Sequence, residues 1–220
     1  MNGQSNFLER IPVVTRNLLY VNLIMFVATL INPTFMKGTF AMAFPLASDF
    51  RWWQPVTHMF MHDGFWHIFF NMYALVMFGS VVERALGTKK YIWFYLITGF
   101  GAVLLHTGVE FLQVQDLIGR YPQMPHQAIY NHIPHVLGAS GAIYGVLVGF
   151  AMLYPQAQLT LIFPPITLDA KWWVIIFVGI ELVTGITGAQ MGVAHFAHLG
   201  GALFGWLLIR YWRKSGKLYR

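Results

Sequence analysis

Two glycine-flanked polar residues are the positions in this sequence where the side chains could do chemistry. Ser140 lies in the stretch Gly138-Ala139-Ser140-Gly141, and His198 lies in Ala197-His198-Leu199-Gly200-Gly201. Each stretch opens a long apolar segment. A serine hydroxyl is a weak nucleophile until a base removes its proton, and a neutral histidine is such a base near pH 7. The pair could therefore perform nucleophilic catalysis, if neighbouring helices bring the two side chains to the same depth.

The composition predicts that these helices cross a membrane. Of 220 residues, 57% are hydrophobic and only 10% are charged, which is too apolar for an ordinary soluble domain. Windows of about twenty residues predict an all-α, polytopic membrane protein with six transmembrane helices in a compact bundle. We expect a polar segment over 1–16 that is no cleavable signal, a membrane domain over 17–212 and a basic tail over 213–220. The predicted spans are 17–32, 65–82, 91–110, 137–154, 170–188 and 194–212.

The positive charges predict the orientation. With six spans, eleven of the 14 lysines and arginines fall on the side that carries both termini, so both termini are expected to be cytoplasmic. The net charge of +6 is concentrated at helix ends, and this argues against a nucleic-acid partner. The basic tail from Arg210 is expected to bind anionic membrane lipids.

Orientation and glycine spacing place the serine and the histidine together. Spans four and six both enter from the non-cytoplasmic side, so Ser140 and His198 should lie roughly 5–10 Å below the headgroups. Glycines recur every fourth residue on both spans, which lets helix backbones approach closely. Such stripes alone more often indicate packing than catalysis. The glycines concerned are Gly141, Gly145 and Gly149 on span four, and Gly201 and Gly205 on span six.

A third polar patch lies on span two. His67 and Asn71 are four residues apart and share one helical face, at a depth close to that of Ser140. Both could donate hydrogen bonds to an oxyanion that develops near the serine. An asparagine in a membrane helix is by itself more often a contact between helices. The agreement in depth of three polar patches favours the catalytic interpretation.

The chain resembles the rhomboid family of intramembrane serine proteases over residues 50–212. The resemblance rests on Gly138-x-Ser140-Gly141 with Tyr144, on Ala197-His198-Leu199-Gly200-Gly201 with Gly205, and on His67-x-x-x-Asn71. Glu83 with Leu86-Gly87, and Trp53 with Thr57 and His58, are similar to further family elements. Gln54 departs from the arginine that the family often has there, and that position bears on how the first loop is anchored.

This resemblance implies a function and a site. Ser140 would be the nucleophile, His198 the general base, and the Ser140 N–H with His67 and Asn71 the oxyanion hole. Tyr144 would pack on the His198 ring, with Gly138, Gly141 and Gly201 around the pair. The expected activity is cleavage of transmembrane protein substrates near the non-cytoplasmic face of the cell membrane, with no cofactor and no metal. No acidic residue adjoins His198 in sequence, and although Glu181 on span five could approach its depth, we expect a two-residue dyad.

Other interpretations remain open at this point. The chain could be an inactive relative that binds transmembrane clients without cutting them. A membrane di-iron oxygenase is suggested by His58-x-x-x-His62 and His195-x-x-His198, but such sites usually lie on the cytoplasmic face. We expect structural roles for His58 and His62, and a rim position for His195 with hydrogen bonds to loop backbone. The loop 111–136, rich in proline and histidine, is expected to be irregular.

Overall fold

Helices dominate the structure, a computed structural model that describes residues 7–161, 164–188 and 194–218. A short 3₁₀ turn, Phe7–Arg10, precedes the first helix. Ten α-helices follow within the described residues. They are α1 (Val13–Ile31), α2 (Pro33–Phe40), α3 (Gln54–Thr57), α4 (Phe65–Ala74), α5 (Ser80–Leu86), α6 (Thr88–Arg120), α7 (His126–Asn131), α8 (Ser140–Leu153), α9 (Ala170–Thr187) and α10 (His195–Lys214).

Each of the six predicted spans contains a helix. The second is α4 and α5 joined through one wider turn, Leu75–Gly79, so that the helix runs over Phe65–Leu86. Four helices of the described chain are long and apolar enough to cross a membrane: α1, the α4–α5 helix, α6 and α9. The other two are α8, an apolar helix of 14 residues, and α10, which has 20 residues and ends on basic side chains. The count of six spans and the side of the termini stay predictions.

The structure is mostly helical, as predicted, and departs from an all-α fold in one connection. Strands β1 (Gln158–Thr160) and β2 (Thr167–Asp169) pair antiparallel, with Leu159 opposite Leu168. Prolines 164 and 165 lie between the strands and cannot continue a helix, because they lack the backbone N–H. The flanking backbone therefore forms its hydrogen bonds across the hairpin. Trp173 at the start of α9 fixes the hairpin by donating to the Leu159 carbonyl at 2.9 Å.

The prediction of an irregular loop over 111–136 is wrong for residues 111–120 and 126–131, which are helical. Helix α6 continues through 33 residues to Arg120, where an ion pair of 2.8 Å with Asp116 links its last turn. The helix ends only before Pro122, and α7 follows. A proline stops a helix near its own position, so the prolines at 122, 125 and 134 gave no reason for the helix to end at residue 110. Buried Phe44, Val114 and Ile129 join the first loop to α6 and α7.

The first loop, residues 32–64, is anchored by the residue that departs from the family pattern. Gln54 is buried, and its Oε1 accepts hydrogen bonds from the N–H groups of Ala43 at 3.2 Å and Arg51 at 3.1 Å. Its Nε2 donates to the Asp49 carbonyl at 3.2 Å. Trp53 also holds the loop, because its indole N–H donates to the Thr39 carbonyl at 2.9 Å. A neutral amide thus satisfies three backbone groups in place of an arginine.

Glu83 closes the other end of the second span against α1. Its carboxylate accepts hydrogen bonds from Val14 N at 2.9 Å, Thr15 N at 2.7 Å and the Thr15 hydroxyl at 2.8 Å. The first N–H groups of a helix have no partner within the helix, and negative charge there is favourable. Glu83 therefore caps α1 and ties it to α5.

Helices α6, α8 and α10 pack against one another at the centre of the fold, and glycines set their spacing. A Cβ atom added to Gly201 of α10 would lie only 1.8 Å from the carbonyl oxygen of Gly141 on α8. One added to Gly205 would lie 2.7 Å from the Gly145 carbonyl oxygen. The backbones of α8 and α10 are thus in direct contact, as the glycine spacing predicts. This contact brings the two glycine-flanked polar residues into reach of each other.

Candidate active site

Ser140 is the first residue of α8, and Gly138 fixes how the chain enters that helix. Gly138 has a φ of 135°, a conformation that residues with a Cβ rarely adopt, and its N–H donates to the His58 carbonyl at 2.9 Å. A Cβ at Gly138 would also lie 2.9 Å from Nε2 of His67. The first backbone bond into α8 runs from Ile143 N to Ala139 O at 3.0 Å. The Ser140 N–H therefore has no partner within the helix.

Ser140 and His198 form a hydrogen bond. The serine Oγ lies 2.7 Å from Nε2 of His198, which α10 supplies from one turn inside its N-terminus. The Tyr144 ring stacks on the imidazole, with centroids 4.4 Å apart and planes inclined by 8°. Tyr144 lies one turn below Ser140 on the same face of α8. Helix α8 thus carries both the serine hydroxyl that contacts His198 and the ring that stacks on this histidine.

His67 and Asn71 share a cavity with Ser140 and Tyr144. The cavity has a volume of about 410 Å³ and lies between α4 and α8, with Trp66 and Phe70 among its apolar walls. The Asp63 N–H donates to Nδ1 of His67 at 3.3 Å, so Nε2 is the nitrogen that carries the hydrogen of the neutral ring. One N–H of the Asn71 amide donates to the His67 carbonyl at 2.9 Å. The amide is thereby held at the cavity wall.

A carboxylate that the sequence did not assign to the site lies beside the histidine. Glu181 of α9 accepts hydrogen bonds at Oε1 from Nδ1 of His198 at 2.9 Å and from the Tyr144 hydroxyl at 2.5 Å. Its Oε2 lies 2.6 Å from Nδ1 of His195. The expected two-residue arrangement is thus corrected to three residues in contact, Ser140, His198 and Glu181. His195 is also corrected, because it is buried against Glu181 and Thr184 and not placed at a rim.

The sequence matches the Rhomboid domain over residues 49–215. The chain belongs to the rhomboid family. It is accordingly an integral membrane protein, as its several long apolar helices also indicate. The expected resemblance is confirmed, and it covers the described helices from α3 to α10.

Three curated relatives are each similar over about two thirds of the chain or slightly more. Rhomboid protease AarA of Providencia stuartii is 29% identical over 164 residues, covering 71% of this chain and 54% of the relative. Rhomboid protein 1, mitochondrial, of Saccharomyces cerevisiae is 30% identical over 154 residues, covering 68% and 40%. RHOMBOID-like protein 1 of Arabidopsis thaliana is 30% identical over 156 residues, covering 71% and 33%. The chain spans between a third and about half of the length of these relatives.

His58 and His62 of this rhomboid have structural contacts. His58 is buried, its Nδ1 lies 3.0 Å from the Gln54 carbonyl, and burial lowers its pKa to about 4. His62 is buried edge-on to the His67 ring, with centroids 5.0 Å apart, and burial with that neighbour lowers its pKa to about 3. Both rings are therefore neutral at pH 7. Within the described ranges, no group of three or more histidine, cysteine or acidic side chains is arranged to hold a metal ion.

Proposed function

We propose that this rhomboid is a serine endopeptidase that cleaves transmembrane segments of other membrane proteins. The observation that carries the proposal is the 2.7 Å hydrogen bond between Ser140 Oγ and His198 Nε2. A serine in a merely structural role needs no basic nitrogen aligned with its hydroxyl. The neighbouring cavity and its hydrogen-bond donors supply the other parts that acyl transfer requires.

The mechanism follows from these groups. His198 Nε2 takes the hydroxyl proton while Ser140 Oγ bonds to the scissile carbonyl carbon. The resulting oxyanion accepts hydrogen bonds from the Ser140 N–H, from His67 Nε2–H and from the Asn71 amide. Protonated His198 then gives its proton to the departing amide nitrogen, the C–N bond breaks, and an ester on Ser140 remains. A water molecule, deprotonated by His198, hydrolyses this ester and restores the hydroxyl.

The walls of the cavity favour a substrate from the membrane. Trp66 and Phe70 of α4 face Ile143 and Leu147 of α8 across it, so an apolar segment can lie between them. The peptide bonds of a transmembrane helix are closed by their own hydrogen bonds, and the segment must unwind before Ser140 can attack. We therefore expect cleavage where residues weaken the helix. Equal cleavage of a substrate with a polyleucine stretch through that region would contradict this requirement.

The charge distribution supports a definite orientation. We place both termini in the cytoplasm and the active site toward the non-cytoplasmic side of the cell membrane, from which water reaches Ser140. Cysteine scanning suits this chain because it contains no native cysteine. A cysteine in the loop between α6 and α7 should react with an impermeant maleimide from outside intact cells, and one after α10 should not. The reverse pattern would overturn the orientation.

The decisive experiment follows cleavage of a transmembrane substrate in proteoliposomes, together with labelling by a fluorophosphonate. Wild-type protein should cut the substrate and carry the label on Ser140. Ser140→Ala should abolish both signals, and His198→Ala should reduce both strongly, with folding retained. Ser80→Ala, which removes another buried span serine, is the matched control and should behave as wild type. If the wild-type protein holds the substrate uncut and takes no label, it is a client-binding rhomboid and the proposal fails.

A further inference from the structure

A carboxylate at the position of Glu181 costs folding free energy unless other groups compensate its charge. It lies in the middle of α9, an apolar helix, and its side chain is buried. A charged group inside a membrane protein is expensive unless it is paired and hydrogen-bonded. Three donors surround it: Nδ1 of His198, the Tyr144 hydroxyl and Nδ1 of His195. Two of the three belong to side chains that contact the proposed reaction centre.

The carboxylate determines which nitrogen of His198 carries the hydrogen. An ionised carboxylate only accepts hydrogen bonds, and a neutral imidazole has one N–H. The 2.9 Å contact with Glu181 therefore places that hydrogen on Nδ1. Nε2 is left with its lone pair directed at Ser140 Oγ, 2.7 Å away. This is the one tautomer in which His198 can take the serine proton.

We propose that Glu181 is a positioning residue that holds His198 in its base-competent tautomer and orientation, so that Ser140, His198 and Glu181 act as a triad. The inference rests on the proposed function, because it assigns a role within that reaction. During attack on the peptide bond His198 becomes an imidazolium, and the adjacent carboxylate stabilises this charge. Tyr144 shares the same carboxylate oxygen while its ring stacks on His198, so both contacts fix one ring position.

His195 completes the support for the carboxylate. Its Nδ1 lies 2.6 Å from Oε2 of Glu181 and 3.1 Å from the Thr184 hydroxyl one turn further along α9. This contact fixes the second carboxylate oxygen and ties α9 to α10. His67 on α4 is a further titratable group near His198, and Asp63 is an acidic group next to His67. Glu181 is thus the carboxylate in direct contact with the proposed base.

Glu181→Gln is the informative variant, because it keeps the size of the side chain and replaces an acceptor oxygen by an NH₂ donor. The neutral amide cannot stabilise an imidazolium charge on His198 as the carboxylate does, and where its NH₂ faces His198 it selects the tautomer with hydrogen on Nε2. We expect kcat for transmembrane substrate cleavage to fall by up to about 10⁴-fold, the loss seen when a catalytic histidine loses its carboxylate partner. KM should change little, since Glu181 does not line the cavity between α4 and α8. Glu181→Asp retains a carboxylate and should keep more activity than Glu181→Gln.

Glu110→Gln is the matched control. Glu110 is a second span carboxylate paired with a histidine, His106 at 3.1 Å, but it lies on α6 outside the site. The Glu110→Gln substitution should leave kcat unchanged. Fluorophosphonate labelling in a His198→Ala background gives a second readout. If Glu181 acts through His198, its loss cannot lower the labelling rate further once His198 is absent. Glu181→Gln should therefore not slow the residual labelling of His198→Ala.

The outcomes separate this inference from the proposed function. Unchanged kcat in Glu181→Gln overturns the triad while the wild-type activity leaves the protease proposal in place. A loss of kcat matched by an equal loss of folded protein, or by a parallel rise in KM, also overturns it, because a structural role then suffices. Absence of cleavage and label in the wild type overturns the proposed function, and the role of Glu181 in it.

Discussion

Replacing Gly201 by alanine should disconnect the proposed nucleophile from its base without touching either residue. The added Cβ would lie 1.8 Å from the Gly141 carbonyl oxygen, which is roughly 1.5 Å short of an ordinary contact. Neither atom belongs to a flexible side chain, so α8 and α10 must move apart. A movement of that size would stretch the 2.7 Å bond between Ser140 and His198 beyond hydrogen-bonding distance. Overpacking of this kind costs about 1–3 kcal/mol of folding free energy, and a misplacement of about 1 Å can cost about 100-fold in rate.

The assay is the rate of fluorophosphonate labelling of Ser140, with the denaturation temperature measured in the same detergent. Gly201→Ala should label at least about 100-fold more slowly than wild type while the protein stays folded. Gly108→Ala is the control, since a Cβ at Gly108 of α6 meets nothing within 4 Å. Labelling of Gly201→Ala at the wild-type rate would refute the idea that this backbone contact sets the reach between serine and histidine.

Three further predictions use the other contacts of the site and its scaffold. Tyr144→Phe keeps the stacked ring but removes the hydroxyl that donates to Glu181, so kcat should fall less than in Tyr144→Ala; equal losses would exclude a separate role for the ring. Glu83→Ala removes the cap of α1 and should lower the free energy of unfolding by about 2–3 kcal/mol. The denaturation temperature should fall accordingly, and an unchanged temperature would show that the cap does not stabilise the fold. The pKa values of buried His58 and His62, about 4 and about 3, lie below the usual 6.5, so the unfolded chain binds more protons in that interval. The contribution of these neutral rings to the free energy of unfolding should therefore be fully present above about pH 6.5 and decrease as the pH falls toward 4. His62→Phe should lessen this decrease. A free energy of unfolding that does not change over this pH range would contradict the burial argument.

The pairing of Ser140 with His198 could be predicted because it depends on quantities that a sequence contains. The charge distribution gives the direction of each span, and counting residues from the membrane surface gives the depth of each side chain. Glycines every fourth residue then indicate which helices touch, and the contact between Gly141 and Gly201 agrees with that. None of these steps requires knowledge of how a helix is rotated about its axis.

Glu181 could not be assigned in this way because its role depends on such a rotation. The apolar residues of helix α9 are spread around the helix, so their pattern does not indicate which face turns inward. Its contact with His198 joins residues 17 positions apart across a helix connection, and no spacing rule predicts it. The available signal was a single carboxylate in the middle of an apolar helix, which is by itself a reason to look for a functional partner.

Helix α6 was underestimated for a different reason. At about 1.5 Å per residue its 33 residues extend about 50 Å, whereas the hydrocarbon core of a membrane is about 30 Å thick. Hydropathy reports where the apolar surface ends, and the helix continues beyond that point. Polar residues such as Asp116 and Arg120 support the last turns, so the prolines after Arg120 mark the true end.

The polar cluster also bears on the choice between a protease and a client-binding rhomboid. Burying Glu181 with His195 and His198 among apolar helices costs free energy, and apolar residues of similar volume often replace such buried groups without loss of stability. A protein that only held transmembrane clients would gain nothing from this arrangement, since Glu181 does not line the cavity where an apolar segment would lie. The contacts of Glu181 instead converge on the histidine whose other nitrogen meets the serine hydroxyl. A carboxylate, an imidazole and a hydroxyl in this order are most simply explained by proton transfer, and this is why the geometry favours catalysis over binding.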